Sequence, residues 1–500
     1  PLRLVGSEMC IRDSRISEQA TSLLPTVEVS AGIPVIIGTA AVNMADPKNV
    51  NKPKLCYSYA EAVEAFGHVP AELDPESGLK KFRFSISELI QSAFSLYGVC
   101  PIIAINVLDP AKHKCTVSAT SVRLDPKTGQ GVVEETGILS AGLTLSSESG
   151  NYSVNDDFVL SFDDDGFLVI ASLKNEDGDF RCQTGTDITL FAEKLDPSKV
   201  TEEDIIGGVD TEGRKRGLEL ISDIFPLFRL VPGTIIAPGY SENPGVAAVM
   251  AAKCASVNSV FKSVCVVDVP TDTVKQYTEV AAWKNDNNIV DPLQIACWPE
   301  IRLDETIYRM STQIACLMAQ VDSENDDVPY VSPSNHNLQM TGTVLKDGTE
   351  VVLGQDNGAY LNGEGVVTAL NFIGGWVAWG NRTAAYPGST DVKDTFIPVR
   401  RMFNWIGNTF VQTFWPRIDG PLNRRQVHTI VDSANIWLNG LSAQQYILGG
   451  RIEFLEDENT TLDLMDGKVV FDVSVTPPSP NRAINFKFKY DVQYLQTLFQ

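Results

Sequence analysis

A multidomain chain combining α/β and α+β architecture is predicted by three observations. Residues 200–343 alternate helical and strand patterns, the rhythm of parallel strands joined by helices. Residues 114 to about 199 alternate apolar and polar positions between turn dipeptides, as antiparallel strands do. Between Leu361 and Trp415, the apolar runs Val366–Leu370 and Trp376–Trp379 flank a Gly374-Gly375 bend, and an amphipathic helix follows. In that helix Val399, Met402, Phe403, Ile406, Phe410 and Phe414 recur at helical spacing and make one wide apolar face.

Five hundred residues exceed what one hydrophobic core usually serves, so about three or four domains are expected. Hydrophobic residues make up 43%, ordinary for a packed soluble protein, and no apolar run is long enough to span a membrane. The net charge of −23 argues against a nucleic-acid partner, which would need clustered Lys and Arg. Residues 361–500 hold 12 basic and 13 acidic side chains, so the first 360 carry −22 of that charge. A near-neutral C-terminal module beside an acidic remainder fits an assembly core with solvated outer domains, and fits chance and solubility equally well. Nine Cys without a C-x-x-C pair read as free thiols, and four scattered His make a His-based zinc site unlikely on spacing alone.

In chain order, Pro1–Ser14 lacks a secretory pattern, and residues 1–15 read as a non-native leader. Residues 16–33 form an extended, Pro-punctuated arm that leads into a strand, Pro34–Gly38. A helix over Tyr59–Phe66 has Ser58 as N-cap and Gly67 as C-cap; a second over Glu88–Tyr97 has Ser87 as N-cap candidate. The strand Pro101–Val107 closes an N-terminal α/β part, residues 34–113. The β-rich insertion, 114–199, turns at Asp165-Gly166 and Asp177-Gly178; its acidic segment Asp156–Phe167 lacks the ligand spacing of a calcium loop and reads as a hairpin tip. An α/β domain, 200–343, supplies the strands Thr234–Ala237, Ser263–Val269 and Leu293–Trp298 with helices between them. A C-terminal core, 344–483, adds a second helix marked by Val427, Ile430, Val431, Ala434, Leu438 and Leu441. Residues 484–500 end the chain with strict alternation: Ile484, Phe486, Phe488, Tyr490, Val492 and Tyr494 share one face of a predicted strand.

Catalytic patterns are missing from the text. There is no phosphate-binding G-x-x-x-x-G-K-[ST] loop and no G-x-S-x-G elbow, and Gly363-x-Gly365 reads as a turn. Ser241 has no His near it in sequence, and His428 sits among Arg424, Arg425 and Val427 as a helix-surface residue. No cofactor and no catalytic or metal residue is assigned.

The opening L-N-x-x-G-V, the W-G-x-R-T turn (Trp379, Gly380, Arg382, Thr383) and the V-R-R-x-x-x-x-I helix start (Val399–Ile406) together resemble contractile tail sheath proteins. So do the G-I-P-x-x-x-G-T-A strand, the Asn51-Lys52-Pro53 step, the S-Y-x-E-A-V-x-x-F-G helix, the N-V-L-D-P strand ending and the Ser332-Pro333-x-Asn335 loop. The resemblance covers roughly residues 16–110 and 311–500, on either side of a divergent middle.

That resemblance implies a homopolymer of stacked rings around an inner tail tube, contacting baseplate and tail terminator proteins and driving the tube through a target envelope. It implies a virion tail component assembled in the host bacterial cytoplasm, with no enzyme activity, nucleic acid or membrane insertion. The C-terminal core, completed by the N-terminal segment, would face the tube. Intersubunit arms are expected at Glu18, Leu24, Val27 and Val29 and at Ile484, Phe486, Phe488, Tyr490, Val492 and Tyr494. Arg400, Arg401, Arg424 and Arg425 are expected at tube-facing or intersubunit contacts. Physics alone favours the terminal strand pairing within its own subunit, because an open apolar strand is a liability. The competing functional reading is a soluble α/β enzyme with appended β domains.

Overall fold

Eight short strands, most of them β-branched and wholly buried, make the central sheet. In a computed structural model that describes residues 24–117, 119–147 and 150–499, they are β1 (Pro34–Gly38), β2 (Pro53–Cys56), β3 (Ile102–Asn106), β4 (Thr234–Ile236), β5 (Val264–Asp268), β6 (Gln294–Cys297), β7 (Val366–Asn371) and β8 (Trp376–Trp379). Their order across the sheet is β2-β3-β1-β4-β5-β6-β7-β8. The six inner strands run parallel, with β2 and β8 antiparallel at the two edges. Every residue of β1, β3, β4, β5 and β6 is buried, as continuous apolar runs in a parallel sheet require.

This sheet draws strands from three of the expected segments. β1–β3 come from the segment expected to end at 113, β4–β6 from 200–343 and β7–β8 from the segment expected to begin at 344. The three segments therefore share one sheet. Sequence periodicity shows that a strand exists and does not show its neighbour, which is set by crossovers of many residues.

Among the helices are α1 (Tyr59–Phe66), α2 (Ser85–Ile90), α3 (Pro244–Ala255), α4 (Tyr277–Asp286), α5 (Met310–Ser323), α6 (Ile397–Phe414) and α7 (Arg424–Ala443). Ser58 caps α1 by accepting from the Glu61 N–H, and Gly67 ends it at φ 70°. The second helix starts three residues before its expected position, at Ser85, and continues as a wider turn over Gln91–Leu96. Ser87 is not its cap; its hydroxyl accepts from the Val69 N–H, a tertiary use that local pattern cannot reveal.

Residues 114–195 leave the sheet after β3 and form antiparallel pairs around a core of their own, including Val122, Val133, Leu145, Leu168, Ile170 and Leu190. The strand Gln130–Thr136 alternates buried and exposed positions along most of its length. At the Asp163–Gly166 hairpin tip the Asp163 carboxylate accepts the N–H groups of Asp165 and Phe167, which ties it to its own turn.

The C-terminal module holds α6, α7 and a two-stranded ribbon, β9 (Gly449–Glu453) with β10 (Asp472–Thr476). The expected strand Ile484–Tyr494 is not formed. Residues 477–491 have no regular secondary structure, and Val492–Phe499 is a 3-10 helix. With no partner strand among the described residues, an alternating segment has no ladder to join, and a strand is defined by its neighbour.

Candidate assembly surface

The surface is built from α6 outward. Val399, Met402 and Ile406 are buried as the helical spacing predicts, while Phe403, Phe410 and Phe414 are half-buried. A second, polar face of the same helix is buried too. Asn404 Nδ2 donates to the Ser263 carbonyl (3.2 Å), and Asn408 both donates to the Lys262 carbonyl (2.8 Å) and accepts its N–H (2.9 Å). These bonds fasten α6 to the start of β5.

The N-terminal segment lies across α6 and α7. The Leu24 N–H donates to Ser433 Oγ (3.0 Å) and the Val27 N–H to Thr413 Oγ1 (3.0 Å). Trp405 Nε1 donates to the Val29 carbonyl (2.6 Å), and Trp437 Nε1 to Glu28 Oε1 (2.9 Å). Leu24–Val29, expected as an arm, are thus held against α6 and α7 of their own chain in this structure. Val29 is buried and Val27 half-exposed. Glu18 lies outside the described residues.

The far end of the chain behaves oppositely. Ile484, Phe486, Phe488, Tyr490, Val492 and Tyr494 are all strongly exposed, Phe488 at 94%. Pairing within the subunit, the outcome physics alone favoured, does not occur among the described residues. The β9–β10 ribbon near this tail pairs with no third strand among the described residues. Beside it, Leu422, Val427, Val431, Phe454 and Leu464, with Asn423, Arg424 and His428, line an open, mainly apolar cavity of about 520 Å³. Leu448, Leu462 and Met465 add further exposed apolar surface to the module. The ribbon and its connection carry Glu453, Glu456, Asp457, Glu458, Asp463, Asp466 and Asp472 against Arg451 and Lys468, whereas the tail carries Arg482, Lys487 and Lys489 against Asp491. The tail and the ribbon are complementary in charge.

No protein-family profile matches the chain. Among curated proteins it is 26% identical to the tail sheath protein of Burkholderia phage BcepMu over 498 residues, 96% of this chain and 97% of that one. It is 23% identical to the tail sheath protein of Escherichia phage P2 over 311 residues, 60% of this chain and 73% of that one. Its fold matches a PVC extracellular contractile injection system sheath in the contracted state (TM-score 0.58, 13% identity, 98% of this chain and all of that one). It also matches the contracted helical sheath of the anti-feeding prophage (TM-score 0.53, 14% identity, 97% and 100%). The chain is a homologue of contractile tail sheath proteins. The BcepMu likeness runs through the middle of the chain as well, so the sequence relationship is broader than the two flanking stretches in which the motifs are legible.

In this sheath homologue the motif residues are structural. The Arg382 guanidinium lies between the rings of Tyr386 (4.2 Å to the centroid) and Phe396 (3.7 Å), and donates to Thr395 Oγ1 (2.8 Å). Thr383 Oγ1 donates to the Asp394 carbonyl (2.6 Å), which pins the same loop to the lead-in of α6.

The four arginines divide. Arg401 is buried and ion-paired with Asp322, so it is no surface contact. Arg400 donates to Asp394 (3.0 Å) and Asn404 (3.2 Å) with only 11% of its side chain exposed, which leaves little of it to meet a partner. A helical repeat alone does not reveal that a charged flank is packed against another element. Arg424 and Arg425 are exposed at the N-terminus of α7, where Arg424 Nε donates to His428 Nε2 (3.2 Å).

Sequence reading missed the docking by Trp405 and Trp437, whose only signal was two Trp at helix positions. It also missed the carboxylates gathered around Arg309, which are distant in sequence. Ser241, unremarkable in the text, is fully buried and accepts the Asp268 N–H through its hydroxyl (3.1 Å).

Proposed function

We propose that this chain is the repeating subunit of a contractile sheath that polymerises around an inner tail tube and contracts to drive that tube through a target envelope. The observation that carries the reading is the chain-long sequence likeness to a phage tail sheath protein. The inner partners are the tube and further copies of the chain; baseplate and terminator proteins bound the polymer at its ends. One of the structural relatives comes from the baseplate of the anti-feeding prophage, in keeping with such a contact. The subunit acts as a mechanical element of a phage or phage-like tail, assembled in the bacterial cytoplasm, with no enzymatic step.

The exposed tail gives this polymer its connection. Ile484–Tyr494 alternates apolar and polar side chains and has no ladder among the described residues; the β9–β10 ribbon of a second copy offers an open edge, an apolar cavity and acidic charge. Donating the tail as a strand satisfies both. Contraction needs no nucleotide, because a metastable lattice can relax by summing small interface gains over many subunits while the tails preserve connectivity. Arg424 and Arg425 remain candidates for tube-facing or intersubunit contact.

Negative-stain microscopy of full-length protein beside a version ending at Ser479 tests the reading. Tubes or rings from the full chain, lost on truncation, are expected. Tubes from both would keep the sheath and remove the linking role of the tail. Monodisperse particles from both at high concentration would count against the sheath reading.

A further inference from the structure

Four carboxylates converge on one arginine at the carboxyl ends of β1, β4 and β5. Arg309 Nη1 donates to Glu242 (2.9 Å) and to Glu300, and its backbone N–H donates to Glu88 Oε1 (2.8 Å). Asp268, the last residue of β5, accepts the Ser311 N–H (2.8 Å) and hydroxyl (2.5 Å) at the start of α5. Glu88, Asp268 and Glu300 are each at most 5% exposed. Beyond them, Tyr308 and Cys316 face Glu88, and Cys297 at the end of β6 faces Asp268. Lys346 and Asp272 lie toward the outer side of Glu242 and ion-pair with each other. No second buried cation reaches the group among the described residues.

Charge balance forbids full ionisation here. One guanidinium can offset one carboxylate, and its two side-chain bonds go to Glu242 and Glu300. Glu88 and Asp268 are left with neutral donors in an apolar core, where an uncompensated carboxylate is expensive and the protonated form wins. Burial outweighs both the Arg309 charge and the buried Thr312 hydroxyl, which favour the Glu88 carboxylate in part.

We propose that this cluster is a proton-dependent latch, in which protons retained on Glu88 and Asp268 hold α2 and the Glu300–Ser311 hairpin to the central sheet, and in which alkaline solution loosens that junction. Burial raises the Glu88 carboxyl to about 8 and the Asp268 carboxyl to about 7, against about 4 in an unfolded chain. Both folded values lie above the unfolded ones. The folded state therefore binds more protons between these limits, and its stability falls as pH rises from about 4 to about 8.

Thermal unfolding of the full chain from pH 6 to pH 9 tests the latch, with Glu88→Gln, Asp268→Asn and the double substitution. The wild-type midpoint is expected to fall across this range, each single substitution to remove part of the fall and the double to remove most of it. A fall of equal size in the double variant, or no fall in the wild type, overturns the proposal. Should the variants fail to fold, infrared spectra of the native wild type decide. A protonated-carboxyl band present at pH 6 and lost by pH 9 supports the latch, and its absence at pH 6 overturns it. Neither measurement depends on polymer formation.

Discussion

Arg401 and Asp322, separated by 79 positions, form a buried ion pair that joins α6 to α5. Arg401 Nη1 donates to Asp322 Oδ1 (3.0 Å) and Nη2 to Oδ2, while Nη2 also reaches the Ala31 carbonyl (3.4 Å). Only 4% of one side chain and none of the other is exposed. Removing one partner strands a charge in the core. Arg401→Ala should cost ~3–5 kcal/mol, whereas Arg401→Met with Asp322→Leu should cost far less or nothing. Chemical denaturation of the two variants checks this, and equal losses would contradict it.

The N-terminal segment should respond unequally to its two tryptophans. Trp405→Phe leaves the Val29 carbonyl without its donor in a buried setting and should cost ~1–3 kcal/mol. Trp437→Phe releases the Glu28 carboxylate, which can turn to water, and should cost under ~1 kcal/mol. Limited proteolysis ahead of Ile33, together with unfolding midpoints, reads the difference.

Gly365 and Gly363, two residues apart, should differ in sign. Gly365 has φ +73°, and a Cβ there would sit 2.4 Å from the Tyr386 carbonyl oxygen and 2.7 Å from that of Thr383. Gly365→Ala therefore meets both backbone strain and a clash and should cost more than ~1 kcal/mol. A Cβ on Gly363, the last residue of the helix Gln355–Gly363, meets nothing within 4 Å, and Gly363→Ala should be neutral or gain up to ~1 kcal/mol. Comparing the two unfolding midpoints tests both halves.

Lys284 supplies a pH dependence opposite to that of the carboxylates. Its ammonium is 1% exposed and donates to the carbonyls of Ala384 (2.8 Å) and Tyr386 (2.9 Å). Burial lowers its pKa to about 8, with Glu364 opposing in part. An unfolded lysine titrates near ~10.4, so the unfolded state holds more protons between those values, and stability contributed by this site rises with pH from about 8 to about 10. The unfolding free energy of the wild type, taken relative to Lys284→Met, should increase between pH 7.5 and pH 10. A constant difference would show that the amine does not titrate in this window.

What the sequence determined by itself is local and periodic. Ser58 and Gly67 bound α1 because a cap and a positive-φ residue act on adjacent backbone groups; the apolar repeat of α6 predicts buried Val399, Met402 and Ile406 because a helix puts them on one side. The insertion's β character follows from the same kind of pattern. Motif combinations carried the family resemblance even though Arg382 and Thr383 serve a loop rather than a reaction. Only tertiary structure decided the rest. It joined β1–β3, β4–β6 and β7–β8 in one sheet, buried Arg401 against Asp322, docked Leu24–Val29 through Trp405 and Trp437, and drew four carboxylates to Arg309. It also left Ile484–Tyr494 without a ladder. The physical reason is the same in each case: side-chain direction repeats along the chain and can be read from it, whereas the partner of a charge, a carbonyl or a strand edge is chosen across hundreds of residues by how the whole chain closes.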